Sequence, residues 1–310
     1  MPLIYSIIAP LIIISSVAVY QGEAFTAIET ARLLQNCMLT AGIGTLLQLY
    51  PIWKIGSGLP VVMGISFTFL AACLATASQD YGFMVGAIIV GGCFEGVLGL
   101  TAKYWRKIIS PIVSACVVVS IGLSILNVGV SSFGSSSAYP LGSWQNLLVA
   151  TITLAAALIF HTTLKGVAKQ PYVLLGMVVG YAVSICFGMV DFAAMGDTIR
   201  ELGGLFPPIG AFFTTLPNCV LGGCTVIMFG SIMMSGVRMM HDAGMDQRNT
   251  LIAATSICLG VGVTQVDGFF NELPSFIGDI FAGNMVAGVF VVGLILDLRL
   301  PRDPSHYTSM

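Results

Sequence analysis

Long apolar runs separated by short polar stretches dominate the chain. A helix needs about 20 apolar residues to cross the ~30 Å hydrocarbon core of a bilayer, and runs of that order recur throughout. Two further apolar segments, 54–72 and 203–217, are interrupted by glycine and proline and are expected to be irregular. The pattern predicts an all-α polytopic membrane protein with spans near residues 2–20, 31–50, 82–102, 110–129, 145–163, 170–190, 219–237, 250–266 and 280–298.

The composition agrees with a membrane protein. Of the 310 residues, 56% are hydrophobic and 8% are charged, whereas roughly 25% of residues are charged in a soluble domain. The 12 Lys and Arg against 14 Asp and Glu leave no basic face for nucleic acid. The eight cysteines lie in or beside apolar runs without any CxxC pair, so we expect small core residues and no disulfide framework or zinc site.

Basic residues set the predicted orientation, because loops rich in Lys and Arg stay in the cytoplasm. An odd number of crossings must then separate the acidic region at Asp191 from the basic loop at Arg238. Segment 203–217 is too short to cross and contains a Pro-Pro pair, which makes it re-entrant or interfacial. The count gives about ten spans plus one short re-entrant segment, with both termini cytoplasmic.

Two of the predicted spans resemble each other. Pro111 to Val130 and Pro217 to Val237 both open on proline and close on Gly-Val. The charge rule orients them in opposite directions, which is typical of inverted-repeat transporters. The alternative is a chance likeness between two glycine-rich apolar segments.

Segment 54–72 is unsuited to a continuous helix, because Gly and Pro cost roughly 1 and 3 kcal/mol in a helix interior. It predicts an extended stretch followed by a half-helix that begins at Phe67 and is capped by Ser66. The free N–H groups of such a half-helix would bind carbonyl oxygens or anions at the middle of the membrane. The alternative is that small residues here only allow close helix packing. The interruptions are Gly56, Gly58, Pro60 and Gly64.

Glu95 is predicted to lie in the middle of a span. A carboxylate there costs at least ~2.5 kcal/mol, so it is a functional candidate that could carry a proton or couple to a cation. The alternative is a structural carboxyl group that is protonated or hydrogen-bonded to a neighbouring helix. Asp297, in contrast, lies near the end of a span and is expected to be solvated.

Residues 42–69, GIGTLLQLYPIWKIGSGLPVVMGISFTF, resemble the uracil/xanthine permease family, also called nucleobase–ascorbate transporters, and are most similar to its xanthine/urate branch. The likeness continues through 107–130, 172–192 and 204–240. The resemblance implies an all-helical fold of fourteen spans in two inverted repeats of seven, with a core domain and a gate domain. It further implies a homodimer through the gate spans and an elevator-like symport of a nucleobase with protons or sodium, without another cofactor or an enzymatic step.

The resemblance also implies a substrate site. Phe67 matches the family residue whose backbone amide contacts the base, and Gly64, Ser66 and Thr68 flank it. The family's Glu-His pair on its eighth span and its Gln/Glu-Asn-x-Gly motif on its tenth span do not occur here. The chain passes within a short stretch from the end of the family's seventh span, at Asp191, to its eleventh span, near Gly204. Family spans eight to ten are therefore expected to be absent.

On this basis the chain divides into four parts. Residues 1–102 are expected to form a partial core domain and 103–192 the first half of the gate. Residues 193–218 form a junction with a truncated core span, and 219–310 form the second half of the gate.

The function implied by the resemblance is transport of a purine, xanthine or uric acid, across the cytoplasmic membrane, impaired by the missing half of the site. The expected partners are the nucleobase, the lipid bilayer and a second copy of the chain, with no nucleic acid. The alternative is a shortened homologue that does not transport and acts as a dimerising or regulatory membrane subunit.

Overall fold

The computed structural model describes most of the apolar runs as helices. Ten helices occur within the described residues, which are 27–51, 56–59, 61, 63–64, 69, 73, 81–105, 108–165, 171–201, 212–266, 269, 278, 280–281 and 284–301. The predicted span at 2–20 lies outside these residues. The helices are α1 (Ala27–Leu49), α2 (Tyr81–Trp105), α3 (Pro111–Ser124), α4 (Leu126–Phe133), α5 (Trp144–Thr163), α6 (Tyr172–Cys186), α7 (Phe192–Glu201), α8 (Asn218–Asp242), α9 (Gln247–Gln265) and α10 (Met285–Arg299).

The all-helical prediction is confirmed for the described part of the chain, where no strand occurs. Four of the described helical segments are long and apolar enough to cross a membrane, and α6 is a shorter apolar helix. The count of ten spans stays a prediction. The four segments are Gly82–Tyr104, Pro111–Phe133, Trp144–Thr163 and Asn218–Asp242.

Helix α7 was not expected in the junction between the predicted gate halves. It begins directly after Asp191, whose side chain accepts a hydrogen bond from the backbone N–H of Ala193 at 2.9 Å. A carboxylate in this position satisfies a free donor of the first helical turn and stabilises the helix start. The short polar helix packs against α1.

Contacts between Cα atoms divide the chain into two compact units. The described residues of the first unit comprise α1, α4, α5, α6, α7 and the part of α8 up to Met228. The second unit comprises α2 from Gly82 onward, α3, the rest of α8, α9 and α10. The division into core and gate domains is a separate prediction, and it stays one.

The two segments that resemble each other pack together in opposite directions. In the second unit, α3 faces the end of α8. As the residue number increases along α3, the residue number of its contact on α8 decreases. In the first unit, α4 meets the beginning of α8 in the same register. The segments therefore run antiparallel, as the charge rule predicts. The contacts that define the register are Val119 with Gly236, Gly122 with Met233, and Phe133 with Gly222.

Each unit contains a pair of adjacent helices held together at small residues. In the first unit, Gly176 of α6 faces α5, and a Cβ atom there would lie 2.6 Å from the Cβ atom of Ala157. In the second unit, Gly260 of α9 packs directly against Val289 of α10. Small residues let helix backbones approach closely, which supplies the packing contacts that hold membrane helices together.

The prediction that Asp297 is solvated is wrong. Its side chain is 0% exposed and accepts a hydrogen bond at 2.8 Å from Arg248, whose side chain is 15% exposed. Arg248 also donates to the backbone carbonyl oxygens of Asp297 at 2.6 Å and Leu300 at 3.3 Å. Arg248 thus joins the first turn of α9 to the last turn of α10 and satisfies carbonyl groups at the C-terminal end of α10.

The cysteines follow the sequence prediction only in part. All eight are free thiols, and four of them are buried as expected of small core residues. The prediction is wrong for Cys93, Cys186 and Cys258, which are exposed on the outer faces of their helices.

The contact between α5 and α6 gives a first prediction. Replacing Gly176→Leu should destabilise the folded chain by about 1–3 kcal/mol, because the added side chain meets Ala157 in a closely packed contact. The matched control is Gly262→Leu on α9, where an added Cβ atom meets nothing within 4 Å. Thermal unfolding in detergent should show a lower midpoint for the first variant only, and equal midpoints would contradict the packing described here.

Candidate functional site

The segment that follows α1 turns back along that helix. The described residues from 56 to 64 are not helical. Gly56 and Gly58 have φ angles of +98° and +71°, a region that glycine adopts without steric cost. The chain reverses direction around these residues, and Met63 lies beside Gly44 and Thr45 near the end of α1.

Backbone and side-chain groups of α1 hold the returning segment. The backbone N–H of Gly58 donates to the carbonyl oxygen of Gln48 at 3.0 Å, and the Gln48 side-chain amide donates to the Ser57 hydroxyl. Further along, the backbone N–H of Met63 donates to the Thr45 hydroxyl at 3.0 Å. The segment is therefore fixed to α1 at two levels, through hydrogen bonds that an extended backbone inside a membrane needs.

The other side of the returning segment is open. Leu59, Val61 and Met63 are 58%, 50% and 44% exposed, and Phe69 is 50% exposed. Polar backbone on this side would need partners from another protein segment at membrane depth. Within the described part of the chain, the hydrogen bonds that hold this segment come from α1 and from the segment itself.

The predicted substrate residues can be placed only in part. Gly64 lies at the end of the returning segment, next to Met63, whose backbone is held by Thr45. Ser66, Phe67 and Thr68, and with them the start of the predicted half-helix, lie outside the described residues.

Glu95 lies on α2, where its side chain is exposed. No hydrogen bond or ion pair to its carboxylate occurs within the described part of the chain. Gly64 belongs to the first compact unit and Glu95 to the second. The structure therefore describes the two predicted site residues separately.

Among the described residues, no group of three or more His, Cys, Asp or Glu side chains could hold a metal ion. Two cavities lie in the second unit, and neither contains a predicted site residue. One, of about 290 Å³, is lined by Ser110, Arg248, Asn249 and Asp297 among others; the second, of about 210 Å³, is apolar and lies between α9 and α10.

Sequence reasoning missed the residues that fix the returning segment. Thr45, Gln48 and Ser57 are polar positions beside the Gly-rich stretch. A polar side chain near the end of a helix followed by several glycines is the signal that could have indicated this chain reversal.

Comparison with known families identifies relatives for nearly the whole chain. The model of the Permease family, Xan_ur_permease, matches residues 4–200 and 194–269. These two matched segments meet and overlap at residues 194–200, within α7.

Three curated relatives show the same similarity. Xanthine permease XanQ of Escherichia coli (strain K12) is 26% identical over 396 residues, which cover 89% of this chain and 85% of XanQ. Putative purine permease CPE0397 of Clostridium perfringens (strain 13 / Type A) is 26% identical over 403 residues, covering 96% and 88%. Uric acid permease PucJ of Bacillus subtilis (strain 168) is 26% identical over 400 residues, covering 92% and 88%.

Each alignment has more positions than the number of residues that this chain contributes to it. For XanQ, 89% of 310 residues is about 276, so the alignment of 396 residues passes over about 120 residues of the relative. The same comparison gives about 105 residues for CPE0397 and about 115 for PucJ. Because the family model matches in two segments that meet at 194–200, the interruption falls there. With a family match over most of its length, the chain belongs to the xanthine/uracil permease family.

Proposed function

We propose that this chain is a purine transporter of the xanthine/uric acid class, working by symport with protons or sodium, and that transport is impaired in the chain as it stands. The names of the relatives support the substrate class. We infer impaired transport from the returning segment at 56–64, which is held by α1 on one side and exposed on the other.

The exposed side of the returning segment at 56–64 agrees with the alignments. About 105–120 residues of each relative have no counterpart here, enough for three membrane spans with their connections at about 20 residues per span. We infer that these are family spans eight to ten. Their loss would remove the Glu that grips the base in the family and the strand that pairs with residues 56–66. Gly64, Ser66, Phe67 and Thr68 would then form half of a substrate site.

The rest of the proposal concerns the scaffold. We assign residues 1–102 to a partial core domain, 103–192 and 219–310 to the two gate halves, and 193–218 to the junction. The antiparallel packing of α3 and α4 on α8, with a glycine-mediated helix pair in each unit, supports an inverted repeat in the gate. The proposal further includes ten spans, cytoplasmic termini, a location in the cytoplasmic membrane and a homodimer that forms through the gate.

Glu95 is the proposed coupling residue. A carboxylate in the middle of a membrane helix is costly and is therefore a candidate for taking up a proton or holding a cation, and Glu95 is the acidic residue at the middle of α2. Its role requires the missing spans, because a carboxylate exposed to lipid has no ion pathway beside it.

A second function has a specific observation in its favour. Helices assigned to the predicted gate are closely packed within the two compact units, with fully buried residues such as Cys116, Ala157 and Val289. A chain that keeps these helices and lacks half of the substrate site could act as a dimerising or regulatory membrane subunit without transporting.

Uptake of radiolabelled xanthine tests the proposed function. Cells that express this chain alone should show no saturable uptake, whereas insertion of the skipped XanQ residues within 194–200 should produce saturable uptake. XanQ from which the same residues are deleted is the matched control and should lose its uptake. A membrane-inserted chain with the added residues and no uptake would contradict the assignment as a transporter, and saturable uptake by the unmodified chain would contradict its impairment.

The site assignment is tested in the chain that carries the insertion. Phe67→Ile should lower xanthine uptake at least tenfold, because the β-branched side chain restricts the rotamer and backbone at the proposed binding amide. Phe69→Ile is the control and should leave uptake within about twofold, since Phe69 is half exposed. Equal effects of the two changes, at equal amounts in the membrane, would refute the role of Phe67.

A further inference from the structure

The hydroxyl group of Thr45 makes two hydrogen bonds that hold different parts of the chain. It donates to the carbonyl oxygen of Ala41, one turn earlier in α1, at 2.7 Å. The same oxygen accepts the backbone N–H of Met63 at 3.0 Å. A threonine hydroxyl has one proton and two lone pairs, so the first bond uses the proton and the second uses a lone pair. Thr45 therefore links the body of α1 to the returning segment.

Other threonines on the described helices make only the first kind of bond. The hydroxyls of Thr40, Thr151 and Thr163 donate to the carbonyl oxygen four residues earlier, at 2.8, 2.6 and 2.7 Å. Such a bond is local to the helix and joins no second segment. Thr45 adds to it a contact with Met63, which lies 18 positions further along the chain. Thr40, on the same helix, is thus a natural control for Thr45.

The two attachment points on α1 hold opposite ends of the returning segment. The backbone carbonyl of Gln48 accepts the N–H of Gly58, close to the turn. The Thr45 hydroxyl accepts the N–H of Met63, at the far end. A Cβ atom added at Gly44 would lie 3.4 Å from the Cβ atom of Met63, so the segment is also in van der Waals contact with α1 at this end. The segment runs back along α1 in a fixed register.

The position of Met63 gives the Thr45 contact its importance. Gly64 follows directly, and glycine adopts a wider range of backbone angles than any other residue. The predicted contact to the purine, Phe67, comes three residues later. A binding group beyond such a flexible position is held in place only when the backbone that leads into it is itself fixed.

We propose that Thr45 is a positioning residue of the substrate site. By accepting the N–H of Met63, its hydroxyl holds the backbone that enters Gly64 and so orders the residues that contact the purine. This inference rests on the proposed function. Without the hydroxyl, the segment would have to be ordered when the purine binds, which weakens binding and leaves the later steps of transport unchanged.

Hydrogen–deuterium exchange of the full 310-residue chain in detergent tests the attachment itself. Thr45→Val keeps the shape of the side chain and removes the acceptor, so exchange at the Met63 amide should become about tenfold faster or more. Thr45→Ser keeps the hydroxyl and should stay within about threefold of the unchanged chain. Thr40→Val removes a hydroxyl that bonds only within α1 and should leave Met63 unaffected.

Xanthine uptake by the chain that carries the skipped XanQ residues tests the effect on the site. Thr45→Val should raise KM about fivefold or more, while the maximal rate per chain in the membrane stays within about twofold. Thr45→Ser should restore KM, and Thr40→Val should not change it. A residue that only supports folding would lower the amount of chain in the membrane and leave KM as it was.

Three results would overturn the proposal. Unchanged exchange at Met63 in Thr45→Val, or an equal increase in Thr40→Val, would show that the hydroxyl does not hold the segment. Faster exchange with an unchanged KM would show that the attachment does not position the site. Absence of uptake before any change at position 45 would contradict the proposed function, and the exchange measurement would still decide whether Thr45 holds Met63.

Discussion

Backbone hydrogen bonding inside the membrane is the constraint on which this molecule depends. A polypeptide at membrane depth must pair its N–H and C=O groups within protein, since each unpaired group costs several kcal/mol. Helices satisfy this requirement internally, and the returning segment after α1 does not. Thr45 and Gln48 supply part of what the segment needs, and the remainder has to come from residues on its open side. Whether the chain binds its substrate therefore depends on which residues pack against the open side of residues 56–64.

The described helices of the two compact units meet the same constraint through their own hydrogen bonds. Their contacts are made at glycine and alanine, and the antiparallel arrangement of α3 and α4 on α8 extends these contacts over the length of the helices. The ion pair between Arg248 and Asp297 closes the ends of α9 and α10 and leaves the guanidinium group bonded to carbonyl groups of α10. Among the described residues, α2 is exposed along most of its length, and Leu59, Val61 and Met63 of the returning segment are exposed as well.

Much of the fold follows from the sequence, because a long apolar run has few alternatives in a membrane. The spans predicted at 145–163 and 219–237 correspond to α5 and α8, and the glycine and proline spacing indicates the interruption after α1. The burial of Asp297 could not be predicted in this way, since Arg248 lies 49 positions away and reaches it only through the packing of α9 on α10. Helix α7 was missed for a related reason: it is short and polar, and its start depends on a single cap at Asp191.

Equilibrium binding of labelled xanthine to the purified 310-residue chain is the most direct measurement of the central claim, that the substrate site is half complete. The purified protein should be helical and monodisperse in detergent, because the described helices of both compact units are closely packed. It should nevertheless show no saturable binding over the concentration range in which XanQ, purified in the same way, binds xanthine. Saturable binding with one xanthine per chain would contradict the account, since it would mean that residues 1–310 already contain a complete site.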